Sequence, residues 1–190
     1  MSALTVSEII SPTGVFNIPS STVFKYKGWI GSSAYVTTDS RATYSAPASG
    51  NGTTVTDLNL TITPKSADSL ILLTWMINGE AVYNTTWTIH QNGSLITTSG
   101  YEAYNRLVGN SRWSGVITSM YDRNDSSTPS NLFIQFAVPA GSTSSRTYAP
   151  AIRSSNGTAY TLYLNRPISS TGADDYEVSV SNGVALEIYQ

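Results

Sequence analysis

The sequence predicts an all-β domain of about eight to ten short strands, folded as a sandwich or barrel and preceded by an extended N-terminal arm. Three observations predict it. Apolar and polar residues alternate with a period of two along most of the chain. No segment longer than ten residues keeps the i, i+3, i+4, i+7 apolar spacing of a helix. Clusters of Gly, Pro, Asn, Asp and Ser separate the alternating runs at short intervals.

Residues 1–28 differ in texture from the rest. Ile9, Ile10, Val15, Phe16, Ile18, Val23 and Phe24 are punctuated by Pro12, Gly14, Pro19 and Gly28. This reads as an arm with one or two short strands, apolar enough to need cover from its own domain or from a partner. The domain is expected over residues 29–190. Thr56–Pro64 sets Leu58, Leu60 and Ile62 against Asp57, Asn59, Thr61 and Thr63. Ser69–Asn78 is almost wholly apolar and reads as a central strand buried on both faces. Thr85–His90 opposes Trp87 and Ile89 to Thr86, Thr88 and His90. Asn92-Gly93 then gives the strongest short hairpin signal, with Leu95–Thr98 as the return strand. Further strands are expected at Arg112–Tyr121, Leu132–Val138, Thr147–Arg153, Ala159–Asn165 and Val184–Tyr189.

Composition excludes several classes of function. The chain has 190 residues, ten Lys+Arg against twelve Asp+Glu, and a net charge of −2. No basic excess exists to neutralise phosphates, so no nucleic-acid partner is expected. No apolar run approaches the ~20 residues of a membrane-spanning helix, so no membrane partner is expected. Cysteine is absent, which removes disulfides, thiolate metal sites and a Cys nucleophile. Met1–Thr5 shows neither a basic segment nor an apolar core, so the reading expects synthesis in a cytoplasm without a secretion signal. Six Asn-x-Ser/Thr sequons, at Asn51, Asn59, Asn84, Asn92, Asn124 and Asn156, fit chance in a chain so rich in these residues.

Candidate chemistry is sparse. His90 is the single histidine, so a histidine metal cluster is impossible, and a strand residue beside a hairpin is a simpler reading than a Ser-His-Asp triad. Asp122 and Asp125 share one loop with Asn124; Asp174 and Asp175 share another with Glu177. Calcium suits either set of oxygens, but neither loop has a defined ligand spacing. No phosphate-binding glycine loop is present. The reading therefore expects no enzyme, no cofactor and no resident metal. The remaining signal is aromatic: twelve Tyr and four Trp. Tyr83, Tyr101, Tyr104, Trp113 and Tyr121 fit cross-strand pairing, a subunit interface or a sugar site.

The run Leu58-Asn59-Leu60-Thr61-Ile62-Thr63-Pro64-Lys65-Ser66-Ala67-Asp68-Ser69-Leu70-Ile71-Leu72-Leu73 is similar to a strand–turn–strand motif of phage virion proteins. Tyr163-Leu164-Asn165-Arg166-Pro167, Asp174-Asp175-Tyr176-Glu177 and Val184-Ala185-Leu186-Glu187-Ile188 resemble the closing loop and last strand of the same group. Leu4-Thr5-Val6 through Pro12-Thr13-Gly14 to Ile18-Pro19 resembles the leader of short tail-fibre and capsid-associated proteins, especially of phages infecting cyanobacteria. The resemblance spans roughly residues 35–190 and implies a C1q/TNF-like jelly roll that forms homotrimers. If Leu186 and Ile188 face the core, Ala185, Glu187 and Tyr189 face outward and are the expected trimer interface.

Two functions compete under that resemblance. The first is a capsid decoration (cement) protein on the outer surface of the head. It would bind the major capsid protein and stabilise contacts between shell subunits, with Val15, Phe16, Ile18 and Phe24 of the arm as the partner-binding residues. The second is a receptor-binding tip of a tail fibre, with the five aromatics contacting host-surface glycan. The sequence shows no shaft or coiled coil upstream of the domain, and decoration is the preferred expectation.

Overall fold

The computed structural model describes residues 27–96, 106–108, 111–113, 117–120, 127–169 and 177–190. These form two antiparallel sheets packed face to face as a β-sandwich. Among them the one helical element is a single 3-10 turn, Thr56–Leu58.

The first sheet contains β1 (Ile30–Thr38), β2 (Thr43–Ala46), β5 (Leu70–Ala81), β11 (Ser130–Pro139), β13 (Tyr160–Leu164) and β14 (Ser181–Ile188). Its order is β1-β14-β5-β13-β2, with β11 on the opposite edge of β5. The second sheet contains β3 (Thr53–Thr54), β4 (Leu60–Ile62), β6 (Thr85–Gln91), β7 (Ser94–Leu95), β10 (Thr118–Met120) and β12 (Arg146–Ser154). Its order is β10-β6-β12-β3, with β4 also on β12 and β7 on β6. A separate hairpin joins β8 (Arg106–Val108) to β9 (Ser111–Trp113).

Alternation places the core. Ile71, Leu73, Trp75 and Ile77 of β5 point inward and are buried, as are Leu162 and Leu164 of β13 and Leu132, Ile134 and Val138 of β11. From the other sheet come Trp87 and Ile89 of β6, Tyr148 and Ile152 of β12, and Leu60 and Ile62 of β4. Two tryptophans fill the centre. The Trp75 indole N–H donates to the Leu58 carbonyl at 3.0 Å, and that of Trp87 donates to Thr85 Oγ1 at 2.9 Å. Both polar edges are thus satisfied inside an apolar core.

The expected hairpin after β6 is present. Asn92 and Gly93 both hold positive φ, 52° and 77°, which is the two-residue turn that Asn-Gly favours. The other strand expectations fall on β5, β11, β12, β13 and β14 with shifted ends. Thr56–Pro64 divides into the 3-10 turn and β4, yet Leu58, Leu60 and Ile62 share the core as the alternation requires. Arg112–Tyr121 resolves into β9 and β10, separated at residues 114–116 outside the described set. β1, β2 and β3 are strands without a sharp alternation in the sequence. The arm of residues 1–28 lies outside the described residues up to position 26.

β5 corrects one expectation. It is central, paired to β14 on one edge and β11 on the other. It is not buried on both faces: Leu70, Leu72 and Thr74 are half-buried and Met76 is exposed.

Gly183 of β14 lies opposite Trp75 of β5 on the inward face. A Cβ at Gly183 would overlap the indole ring. Gly183→Ala should therefore cost about 1–3 kcal/mol by overpacking, measured by chemical denaturation of the purified chain. Val184→Ala, one residue along on the outward face, should cost well under 1 kcal/mol in the isolated chain.

Candidate functional site

β14, which lies between β1 and β5, and Tyr189 just after it include the three residues expected to meet neighbouring subunits. Their facing is the reverse of that expectation. Ala185 and Glu187 are fully buried and Tyr189 nearly so, while Val184 is exposed and Leu186 and Ile188 are half-buried. The reason is size and bonding rather than hydrophobicity. The inward positions lie against Trp75 and Leu73, and only Gly183 and Ala185 are small enough for that space. Glu187 follows on the same face, where a set of donors receives it.

Among the described residues, the hydrogen-bond partners of Glu187 are backbone N–H groups and hydroxyls. Its Oε1 accepts from the Lys65 N–H at 2.8 Å, the Ser66 N–H at 2.8 Å and the Ser69 hydroxyl at 2.7 Å. Its Oε2 accepts from the Ser32 hydroxyl and the Lys65 N–H, both at 2.9 Å. A Cβ at Gly31 would overlap this carboxylate, so a glycine there leaves room for the site. Burial pushes the Glu187 pKa up. The hydrogen bonds from Lys65, Ser69, Ser66 and Ser32 outweigh that push and hold the carboxyl below its ordinary value. Burial and the Glu187 charge together push the Tyr189 phenol up. Glu187 therefore acts as an anionic clamp between β14, β1 and the turn at 65–69.

Glu80 is a second clamp of the same design. It is fully buried and accepts from Thr128 N–H and Oγ1, both at 3.1 Å, and from Ile168 N–H at 2.7 Å. His90 is buried too. Its Nε2–H donates to the Asn51 carbonyl at 2.8 Å, and Nδ1 shares a hydrogen bond with the Thr54 hydroxyl at 2.7 Å. Both ring nitrogens are engaged in holding the 51–54 segment against β6, and the ring is buried where the alternation placed it on a polar face.

The outward face of the first sheet is where the surface chemistry concentrates. Register places Thr37, Asn182, Met76 and Phe133 in one cross-strand row, and Tyr35, Val184, Thr74 and Gln135 in the next. Ser33, Leu186, Leu72 and Ala137 form a third row, and Ile30, Ile188, Leu70 and Pro139 a fourth. Directly opposed residues share a face. No Asp, Glu, Lys or Arg occurs in any of the four rows. Tyr35 is 84% exposed, Phe133 58% and Ile30 59%. Sequence reasoning missed this face, although the signal was present: β5 and β14 each carry apolar residues at positions of opposite parity.

Of the five glycan candidates, Tyr83 and Trp113 fall among the described residues. Tyr83 is partly exposed, and its ring packs against Tyr160 with centroids 4.9 Å apart. Trp113 belongs to β9, in the separate hairpin. Tyr101, Tyr104 and Tyr121 lie outside the described residues, as do Asp122, Asp125, Asp174, Asp175, Val15, Phe16, Ile18 and Phe24. An open groove of about 580 Å³ is lined by Asn78, residues 127–131 and residues 177–179. Several of its polar groups bond to one another. Ser127 donates to Glu177 at 2.8 Å, and Asn131 donates to Asn78 at 2.8 Å. Compared with known proteins, the chain matches no family model and no curated sequence.

The Glu187 clamp makes stability depend on pH. The folded pKa lies below that of the unfolded chain, so the contribution is complete above roughly pH 4.3 and is lost as pH falls through the folded pKa. Glu187→Gln turns an amide N–H₂ toward donors and should cost about 3 kcal/mol at neutral pH. In denaturation curves taken across the acid range, the wild type should lose stability on acidification more steeply than Glu187→Gln. Equal slopes would remove Glu187 from this role.

Proposed function

We propose that this chain is a structural subunit of a tailed-phage virion that decorates the outside of the head. In this reading the sandwich is a jelly roll and three copies form the working unit. The subunit strengthens contacts between molecules of the major capsid protein and performs no catalysis. It is made in the host cytoplasm and finishes on the capsid surface.

The observation that carries the reading is the uncharged apolar face of the β1-β14-β5-β11 sheet. A sheet face of this kind works by being covered, and a protein built around one functions through association. The resemblance of residues 58–73 and 163–188 to virion proteins supplies the setting. The N-terminal segment, with Val15, Phe16, Ile18 and Phe24, is the proposed contact to the shell. Several copies of a weak contact on one particle gain affinity through multivalency. The face carries no cluster of basic residues that would favour nucleic acid or an anionic membrane.

Antibody labelling of intact virions, viewed by electron microscopy, tests the reading. Dense label over the head is expected. Label confined to the tail end would replace it with the fibre-tip reading, and Tyr83 would become the first residue to test for glycan contact. Removal of residues 1–20 should abolish binding to undecorated heads while leaving the sandwich folded by circular dichroism.

A further inference from the structure

We infer that residues 9–24 dock on the outward face of the β1-β14-β5-β11 sheet of their own chain and cover it until assembly draws them away. The inference rests on the reading of residues 1–28 as a contact arm. It gives that arm a second destination, so that the free subunit holds its own apolar face shut.

The tether is the first argument. The described chain begins at Lys27. The Gly28 N–H donates to the Tyr189 carbonyl at 2.7 Å, and the Tyr189 N–H donates to the Trp29 carbonyl at 2.9 Å, so the chain enters the sheet beside its last strand. Ile30, the first residue of β1, belongs to the end row of the apolar face. A straight chain before it would run off the end of the sheet. Residues 27–28 instead form a turn, and Gly28 holds φ at 86°, a conformation that favours glycine. A Cβ there would meet nothing within 4 Å, so this glycine serves the direction of the backbone and not packing. A turn at that point is what a segment needs to come back over the face.

Length fits. At ~3.3 Å per residue, Phe24 reaches ~13 Å from Gly28 and Val15 ~43 Å. The four rows span about 20 Å along the strands and about 15 Å across them. Val23 and Phe24 lie on one side of Pro19-Ser20-Ser21, and Val15, Phe16 and Ile18 on the other. That spacing suits two passes over the patch with a turn between them.

Charge selects the occupant. Residues 9–24 contain no Asp, Glu, Lys or Arg, and neither do the four rows. On the face, Thr74, Gln135 and Asn182 are neutral and able to donate to, or accept from, the backbone of an extended segment. Tyr35, Val184 and Phe133 are exposed and supply apolar contact. Concentration then separates the chain's own segment from a neighbour's. A short tether gives an effective concentration on the order of millimolar, about a thousandfold above a micromolar solution of chains. A contact too weak to hold two chains together is thereby filled within one.

Thiol labelling of the full chain tests the inference. The chain has no cysteine, so Val184→Cys places one thiol on the face. Its reaction with a maleimide is followed by mass spectrometry at submicromolar and at high micromolar protein. Phe16→Asp together with Phe24→Asp should speed the labelling by roughly tenfold or more at every protein concentration, with an unchanged circular dichroism spectrum. Tyr35→Cys repeats the measurement at a residue 84% exposed, where replacement should leave the fold intact even if a change at Val184 does not. Labelling as fast without the Asp substitutions as with them would overturn the inference and leave the face to a different protein. Protection that appears only as protein concentration rises would assign the face to a second copy and overturn it. Protection that survives both Asp substitutions at every concentration would assign the cover to another part of the chain and overturn it too. Protection by the arm with no antibody label on virions would retain this inference and overturn the decoration reading. Label over the head with an unprotected thiol would do the reverse.

Discussion

Glu187 sits at the point where three parts of the chain must agree. β14 carries the carboxylate, β1 offers Ser32, and the turn before β5 offers two backbone N–H groups and Ser69. A buried anion without hydrogen-bond donors is one of the costliest features a core can hold, so the three segments are locked into one geometry by the need to satisfy it. Once β14 is held in that register, Gly183 and Ala185 face inward, Trp75 has its space, and the remaining side chains of the strand are turned out. Glu80 repeats the device at the other end of β5, binding the segments at 128 and 168. Among the described residues, the hydrogen-bond partners of both carboxyl groups are backbone N–H groups and hydroxyls. Backbone N–H groups and hydroxyls do the work, which keeps the geometry tighter than long basic side chains would.

That arrangement separates two kinds of apolar surface. The interior is packed around two tryptophans and is closed. The outward side of the first sheet is equally poor in charge, yet it is open. Side chains of one strand serve both surfaces, alternating between them, so β14 and β5 couple the stability of the domain to the character of its outer face. The second sheet does not share this property. Its β6 residues from Thr85 to His90 are buried throughout, and β12 is buried along most of its length.

The sequence was legible where one face of a strand is polar. Leu162 and Leu164 point inward as their alternation with Thr161 and Tyr163 requires, and the Asn92-Gly93 turn could be read from two letters. It misled where both faces are apolar or where the inward residue is polar. In β14 the hydrophobic set Val184, Leu186 and Ile188 is the outward one, and a glutamate is the inward one. Hydropathy ranks those residues the wrong way round because it does not see the donors at Ser32, Lys65, Ser66 and Ser69, which lie more than a hundred residues away in the chain. The same blindness made β5 look buried on both sides. For the candidate site, the residue types were visible but their parity was not, and the parity decides which of them a partner can touch.

The pairing of β1 with β14 has a consequence in time. β1 precedes almost the whole domain and β14 is its last strand, while the sheet needs both to be complete. During synthesis β1 must wait, with its partner still unmade, until β14 has left the ribosome. Folding then has to close the long loop from Thr38 to Ser181, the kind of step that slows assembly of β-proteins. The apolar face built from β1, β14, β5 and β11 does not exist until that closure. A nascent or half-folded chain therefore cannot present it as a finished surface, and the order of synthesis itself withholds the sticky face until the domain behind it is rigid.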